Sequence, residues 1–297
     1  MYLLALDLDE TLLDEKKQIP ASTVALLRSV MVRGHFVTLA SGRMYPSVRQ
    51  YAAILGVGIP VICYNGAQIK DEQGQSWPYN AFIQPELIRE FVAYCRRDEG
   101  ILPIRGQNNL YIQLYGLDAD GNDLIVTEDN QSEELWNDPD FVLALGNALY
   151  ATDRSAYQGE GCLQVGDFLQ ADLQPSPKMM IRATGQVPLI DSLLEKLSLA
   201  FAGRLDFNRS APDLLEILPH GVDKGAALAY LADYLGVKQC HVIACGDSGN
   251  DLPMIKWAGI GVVVANSPDL DLRAAADYIT TQPRSLGVEE AVKRFIR

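Results

Sequence analysis

Short, fully apolar runs alternate with amphipathic stretches at both ends of the chain. Residues 2–8, 35–40 (HFVTLA) and 60–65 (PVICYN) are apolar runs of strand length, which predict strands covered on both faces. Between them Val24, Leu27 and Val30 recur at helical spacing before Gly34. Val48, Tyr51, Ala52 and Leu55 do the same before Gly56, placed as a C-terminal cap. The alternation resumes late, with Leu228, Leu231 and Leu235 on a helix ending at Gly236, then strands at 241–245 and 261–266. Together the two ends predict one doubly wound α/β core built on a parallel sheet.

The pattern between them is different. A helix is expected over Pro85 to Arg97, extended segments at 102–106 and 110–116, and a polar stretch from Asp118 to Asn137. Further on come KMMIRAT at 178–184, a helix at 189–201, and strand-like RLDFN and LLEIL. Strands and helices without strict alternation predict an inserted α+β cap domain over residues 84–218, with the core formed by 1–83 and 219–297. The acidic, glycine-bearing GLDADGNDL reads as a turn; counted from Asp118, the twelfth position is Asp129, where a calcium loop needs a bidentate glutamate.

Composition narrows the function. The 297 residues are 48% apolar and 21% charged, enough to bury a sizeable core, and the formal net charge is -13. Such a field repels polyanions, and no Lys/Arg cluster forms a phosphate-backbone stripe, so nucleic acid is not an expected partner. An anionic substrate would need local positive charge from a metal, a lysine or a helix N-terminus. Cys63, Cys95, Cys162, Cys240 and Cys245 form no CxxC pair, and the histidines are His35, His220 and His241, so neither a zinc site nor a disulfide framework is expected. No apolar run is long enough for a membrane span, and the chain starts without a basic leader, which together predict a cytoplasmic protein.

Ligands of parallel α/β sheets collect beyond the carboxyl ends of the strands. Asp7 and Asp9 leave the first strand, Ser41 the second, and Asp247 the strand at 241–245. Buried carboxylates are tolerable when they share a divalent cation, and oxygen ligands point to Mg²⁺. Each position also has a plain structural reading. The acids suit turns and caps, Asn250 or Asp251 can cap the helix carrying Leu252 and Ile255, and Ser41-Gly42 is ordinary turn chemistry as well as a phosphate cradle. Lys224 enters a helix where the macrodipole disfavours a cation, although most lysines are simply solvated. Arg43, Asn65 and Gly66 sit on the same ligand side, as substrate contacts or as an ion pair and a tight turn.

DLDETL (7–12), LASGR (39–43), GVDKGAAL (221–228) and GDSGNDLPMI (246–255) resemble the four motifs of the haloacid dehalogenase-like phosphotransferases. The order and the insertion between the second and third motifs are similar to the Cof-type group. The resemblance implies a Rossmann-like core and a Mg²⁺-dependent phosphatase acting on a small phosphorylated metabolite, such as a sugar phosphate. It implies that Asp7 is the nucleophile and Asp9 the acid and base. Ser41, Gly42, Arg43, Asn250 and Lys224 would hold substrate or its phosphoryl group. Asp7, the backbone carbonyl of Asp9, and Asp247 would bind the metal, with Asp251 and Asn250 orienting the metal waters or the lysine. Glu10 departs from the pattern, standing where many members carry glycine, as does GVVVANSP at 261–268. A phosphomutase would carry the same motifs, and a phospho-ligand sensor would not need Asp9. In the insert, Arg105, Lys178 and Arg182 are candidate cationic contacts or solvated surface charges. Nothing in the pattern reports the oligomeric state.

Overall fold

A computed structural model of the chain describes residues 1–97, 110–117, 123–128, 162–165, 168–183, 187–211 and 213–296. Its contacts divide it into two compact units, Met1–Asn80 with Val222–Arg297, and Ala81–Gly221. The first unit begins with β1 (Leu3–Leu6), α1 (Ala21–Val32), β2 (Phe36–Leu39), α2 (Tyr45–Leu55), β3 (Val61–Cys63), β4 (Gln68–Lys70) and β5 (Ser76–Asn80). The second holds α3 (Pro85–Arg97), β6 (Leu110–Leu117), β7 (Asp123–Glu128), β8 (Cys162–Val165), β9 (Met179–Ala183), α4 (Val187–Ala200), β10 (Leu205–Ala211) and β11 (Leu214–Pro219). The chain then returns with α5 (Lys224–Tyr234), β12 (Val242–Gly246), α6 (Leu252–Trp257), β13 (Ile260–Val263), α7 (Leu270–Ala275), β14 (Tyr278–Ile279) and α8 (Arg284–Phe295).

The main sheet of the first unit is parallel, in the order β14-β13-β12-β1-β2. Leu3 and Ala5 pack against Ala227, Leu228 and Leu231 of α5 and Met254 and Ile255 of α6. On the other side α1 lies against β2 and α8. Coverage of both faces is why these strands read as continuous apolar runs instead of alternating ones. This is the doubly wound core that the periodicity predicts.

Two expectations shift. The first strand ends at Leu6: the Asp7 amide makes a last bond to the Cys245 carbonyl at 3.0 Å, and the chain then winds through an irregular turn over Leu8–Leu12. Within that turn Glu10 is left-handed, at φ 56°. Asp7 and Leu8, inside the apolar run that predicts the strand, therefore follow it, as Asp9 does. The third run, β3, meets the parallel sheet through a single bridge, Ala40 to Ile62, and pairs antiparallel with β4, which pairs with β5. Both partners are too short and polar to stand out by periodicity.

In the second unit six strands run in the order β10-β11-β9-β6-β7-β8, antiparallel except for β7 with β8. Ile112 and Leu114, Met179 and Ile181, and Leu215 and Ile217 share one face and pack on Ile88, Phe91, Leu193, Leu197 and Phe201 of and around α3 and α4. It is an α+β layer pair, inserted within the α/β core. The polar stretch expected over 118–137 contains β7, whose pairing with β6 supplies what its sequence pattern lacks. The segment 102–106 lies outside the described residues.

Candidate active site

With β12, β1 and β2 side by side, the residues leaving their C-terminal ends open on one edge of the sheet. Asp7, Asp247 and Asp251 converge there, each buried, with ligand oxygens all within 4.8 Å of one another. Local structure holds each in place. The Asp251 carboxylate closes the turn at the head of α6, its Oδ2 accepting from the amides of Asp247 at 3.0 Å and Ser248 at 3.1 Å. Gly246 makes room, since a Cβ there would stand 2.5 Å from the Asp251 Cβ. Thr11 donates its hydroxyl to Asp247 Oδ1 at 2.9 Å, and Ser267 donates to the Asp247 carbonyl at 2.5 Å. Neither was picked out by the sequence reading, although Thr11 lies inside the first motif.

Lys224 is buried at the first position of α5, and its Nζ donates to Asp7 Oδ1 and Asp251 Oδ1, both at 2.7 Å. It is not a solvated surface lysine. The helix still has its cap, for Asp223 Oδ1 accepts from the Ala226 amide at 2.7 Å. Gly66, at φ 102°, brings the turn after β3 against this cap; a Cβ there would fall 2.1 Å from the Asp223 carbonyl oxygen. Burial alone would lower the Lys224 pKa, but the charges of Asp251 and Asp7 raise it, so the ammonium stays protonated. Burial pushes the Asp7 carboxyl well above the usual range despite Lys224, with Asp251, Asp247 and Asp9 adding to the push. Burial and Asp251 likewise raise Asp247 to about 7, against the Thr11 hydrogen bond and Lys224.

Asp9 goes elsewhere. Arg43 holds its carboxylate with two bonds of 2.8 Å, from Nε to Oδ2 and from Nη2 to Oδ1, and Lys17 Nζ stands 3.0 Å from Oδ1. Burial works to raise the Asp9 pKa, but the hydrogen bond and charge of Arg43, helped by Lys17, bring it below the usual value. The Arg43 guanidinium is itself buried, with Ser47 Oγ at 2.9 Å and the Tyr51 hydroxyl at 3.4 Å from Nη1. Arg43 is thus a buried ion pair in this structure, and Lys17 is a site neighbour that no sequence signal revealed. Ser41 is buried; its Oγ accepts from the Arg43 amide at 3.2 Å and its carbonyl from the Asn65 amide at 3.0 Å. Asn250 Nδ2 donates to Asn65 Oδ1 at 3.0 Å, and a Cβ on Gly42 would come 2.8 Å from that same oxygen. The second and fourth motifs thereby meet through Asn65.

In the inserted unit Lys178 is buried and pairs with Glu216 at 2.6 Å, its Nζ 4.8 Å from the Tyr115 ring centroid. Arg182 lies on β9 opposite Leu214 and Tyr111, and Arg105 lies outside the described residues.

Three buried carboxylates facing one ammonium form a donor set of hard oxygens, and two of them are pushed toward protonation; a divalent cation would relieve both pressures. The residues present fit such an ion. Among the described residues, no helix is long and apolar enough to cross a membrane.

The chain is similar to known proteins along nearly its whole length. It is 27% identical over 300 residues to the 5-amino-6-(5-phospho-D-ribitylamino)uracil phosphatase YitU of Bacillus subtilis, covering 100% of this chain and 96% of that protein. It is 28% identical to the HMP-PP phosphatase of Yersinia pseudotuberculosis, over 90% of this chain and 85% of the relative. A haloacid dehalogenase-like hydrolase from Bacteroides thetaiotaomicron of known crystal structure shares 29% identity and superposes with a TM-score of 0.73, covering 99% of this chain and 98% of that one. The family model for haloacid dehalogenase-like hydrolases matches residues 4–292. Motifs, sheet order and this match together mean that the chain belongs to the haloacid dehalogenase-like hydrolase family and is an enzyme, a phosphoric monoester hydrolase.

Proposed function

We propose that the chain is a Mg²⁺-dependent phosphatase that hydrolyses a small phosphorylated metabolite in the cytoplasm through a phosphoaspartyl intermediate on Asp7. The observation that carries this reading is the buried convergence of Asp7, Asp247 and Asp251 on Lys224 at the exits of adjacent strands. In the first step an Asp7 oxygen bonds to phosphorus as the bond to the leaving oxygen breaks, and Asp9, parted from Arg43 and Lys17 and having taken up a proton from solvent, gives it to that oxygen. In the second, Asp9 takes a proton from water as the water oxygen bonds to phosphorus and the Asp7–phosphorus bond breaks. Lys224 and the Ser41 hydroxyl hold phosphoryl oxygens, placing charge where the transferring group needs it. Asp7 and Asp247, with the backbone carbonyl of Asp9, would hold the metal, and Asp251 keeps Lys224 in position. When bound, Mg²⁺ supplies the charge that keeps Asp7 ionised and offsets the charge of the phosphoryl group.

The relatives named above act on phosphorylated small metabolites, which supports that substrate class for this chain. Residues 84–218 are assigned the role of cap by the place of the insertion between the second and third motifs. Phosphate release from a panel of sugar phosphates, nucleotides, pyridoxal phosphate and phosphoglycolate, with Mg²⁺, tests the reading. Asp7→Asn should lower turnover by roughly 10³-fold or more in a variant that still unfolds in one cooperative transition. Activity surviving both this change and chelation would rule the mechanism out.

A further inference from the structure

Among the described residues, the non-glycine residues with positive φ are Glu10, Lys17, Tyr64, Asn65 and Arg284. Left-handed backbone is costly for such side chains and persists where the surroundings over-determine it, often at functional sites. Three of the five, two from the connection between β1 and α1 and one from the head of α8, meet at one point. Glu10 Oε2 is 2.5 Å from Arg284 Nη2, and Glu10 Oε1 is 3.3 Å from Lys17 Nζ. The backbone is tied as well: the Glu10 carbonyl accepts from Asn266 Nδ2 at 2.8 Å, and Asn266 Oδ1 accepts from the Arg284 amide at 2.8 Å. Arg284 Nη1 is buried without a hydrogen-bond partner among the described residues, which leaves Glu10 as the anion this guanidinium faces.

Stability does not account for Glu10. Its carboxylate side chain is 42% exposed, where ion pairs contribute little, yet its charge adds to the crowd around Asp247 and its backbone is strained where a glycine would be relaxed. What the arrangement does provide is a second anion for Lys17. The Lys17 ammonium is shared between Asp9 Oδ1 at 3.0 Å and Glu10 Oε1 at 3.3 Å. Asp9 is held by Arg43 and Lys17 together, so it can serve a leaving oxygen only by loosening those contacts.

We propose that Glu10 is a positioning residue: anchored on Arg284, it retains Lys17 while the Asp9 carboxylate exchanges its cations for the leaving oxygen. The inference rests on the phosphatase reading above, in which Asp9 serves that oxygen. Without Glu10, Lys17 has Asp9 as its nearest anion and holds it more tightly. Removing Lys17 removes that competition.

The test is Mg²⁺-dependent hydrolysis of glucose 6-phosphate, whose alkoxide leaving oxygen needs a proton, by wild type, Glu10→Gln, Glu10→Gly, Lys17→Met and the Glu10→Gln/Lys17→Met double variant, with folding checked by thermal melting. Both Glu10 variants should lower kcat about three- to tenfold at unchanged KM, the glycine variant despite its relaxed backbone. In the Lys17→Met background, Glu10→Gln should have no further effect. Wild-type kcat in Glu10→Gly, or losses that simply multiply in the double variant, would overturn the proposal. An inactive wild type overturns the phosphatase reading and the inference with it, whereas an active wild type with indifferent Glu10 variants overturns the inference alone.

Discussion

Lys224 stands with its ammonium 2.7 Å from both Asp7 and Asp251, so replacing it by methionine leaves two buried carboxylates without their cation. Lys224→Met should cost about 3–5 kcal/mol in urea unfolding of the metal-free protein. A loss below about 1 kcal/mol would mean that the ammonium is not what offsets the acids. The carboxylates themselves predict a pH dependence. Asp7 and Asp247 have folded pKa values above their unfolded ones, so their contribution to stability is full below about pH 4 and is lost as pH rises through the folded values, about 7 for Asp247. Asp9 works in the opposite sense, but only as the pH falls below its unfolded value. A cation binds the ionised forms, so the rise in melting temperature on adding Mg²⁺ should be larger at pH 8 than at pH 5.5. An equal rise at both would mean that neither carboxyl changes its protonation between those two pH values.

At the scale of elements, the turn after β3 and the head of α5 are in contact through Gly66. Alanine there meets both a φ of 102° and a carbonyl oxygen 2.1 Å from its Cβ, whereas Gly56, at φ 76°, has nothing within 4 Å. Gly66→Ala should therefore cost about 2–4 kcal/mol and Gly56→Ala about 1 kcal/mol, read by denaturant unfolding. Gly66→Ala should also lower turnover, because the displaced cap carries Lys224. Comparable costs at the two glycines would show that the close approach is not rigid. Gly56 was visible in the sequence as the end of an amphipathic helix, since helical spacing stops there. Gly66 was visible only as a turn residue; what it abuts comes from a segment more than 150 positions away. The same limit hid β4, β5 and β7, whose short or polar sequences become strands through their partners' hydrogen bonds.

For the whole molecule, the two compact units carry separate buried charge pairs. Lys178 and Glu216 are each 1% exposed in the inserted unit. Lys178→Met should lower the melting temperature by removing the buried ammonium that Glu216 faces at 2.6 Å. An unchanged melting temperature would show that the pair does not stabilise its unit. The net charge of -13 makes the local cations matter: Lys224, Arg43 and Lys17 each face a carboxylate of the first or fourth motif. By itself the sequence determined the doubly wound core, the insertion between its halves, and which strand exits carry Asp7, Ser41 and Asp247, because burial periodicity and strand ends are local properties. The tertiary structure decided who pairs with whom: Asp7 with Lys224, Asp9 with Arg43 and Lys17, and Glu10 with Arg284. Asp7 and Lys224 are 217 positions apart and Asp9 and Arg43 34, while Lys17 is 8 from Asp9; for the distant pairs chain closure around a packed sheet, not any nearby pattern, sets which charges end up within reach of each other.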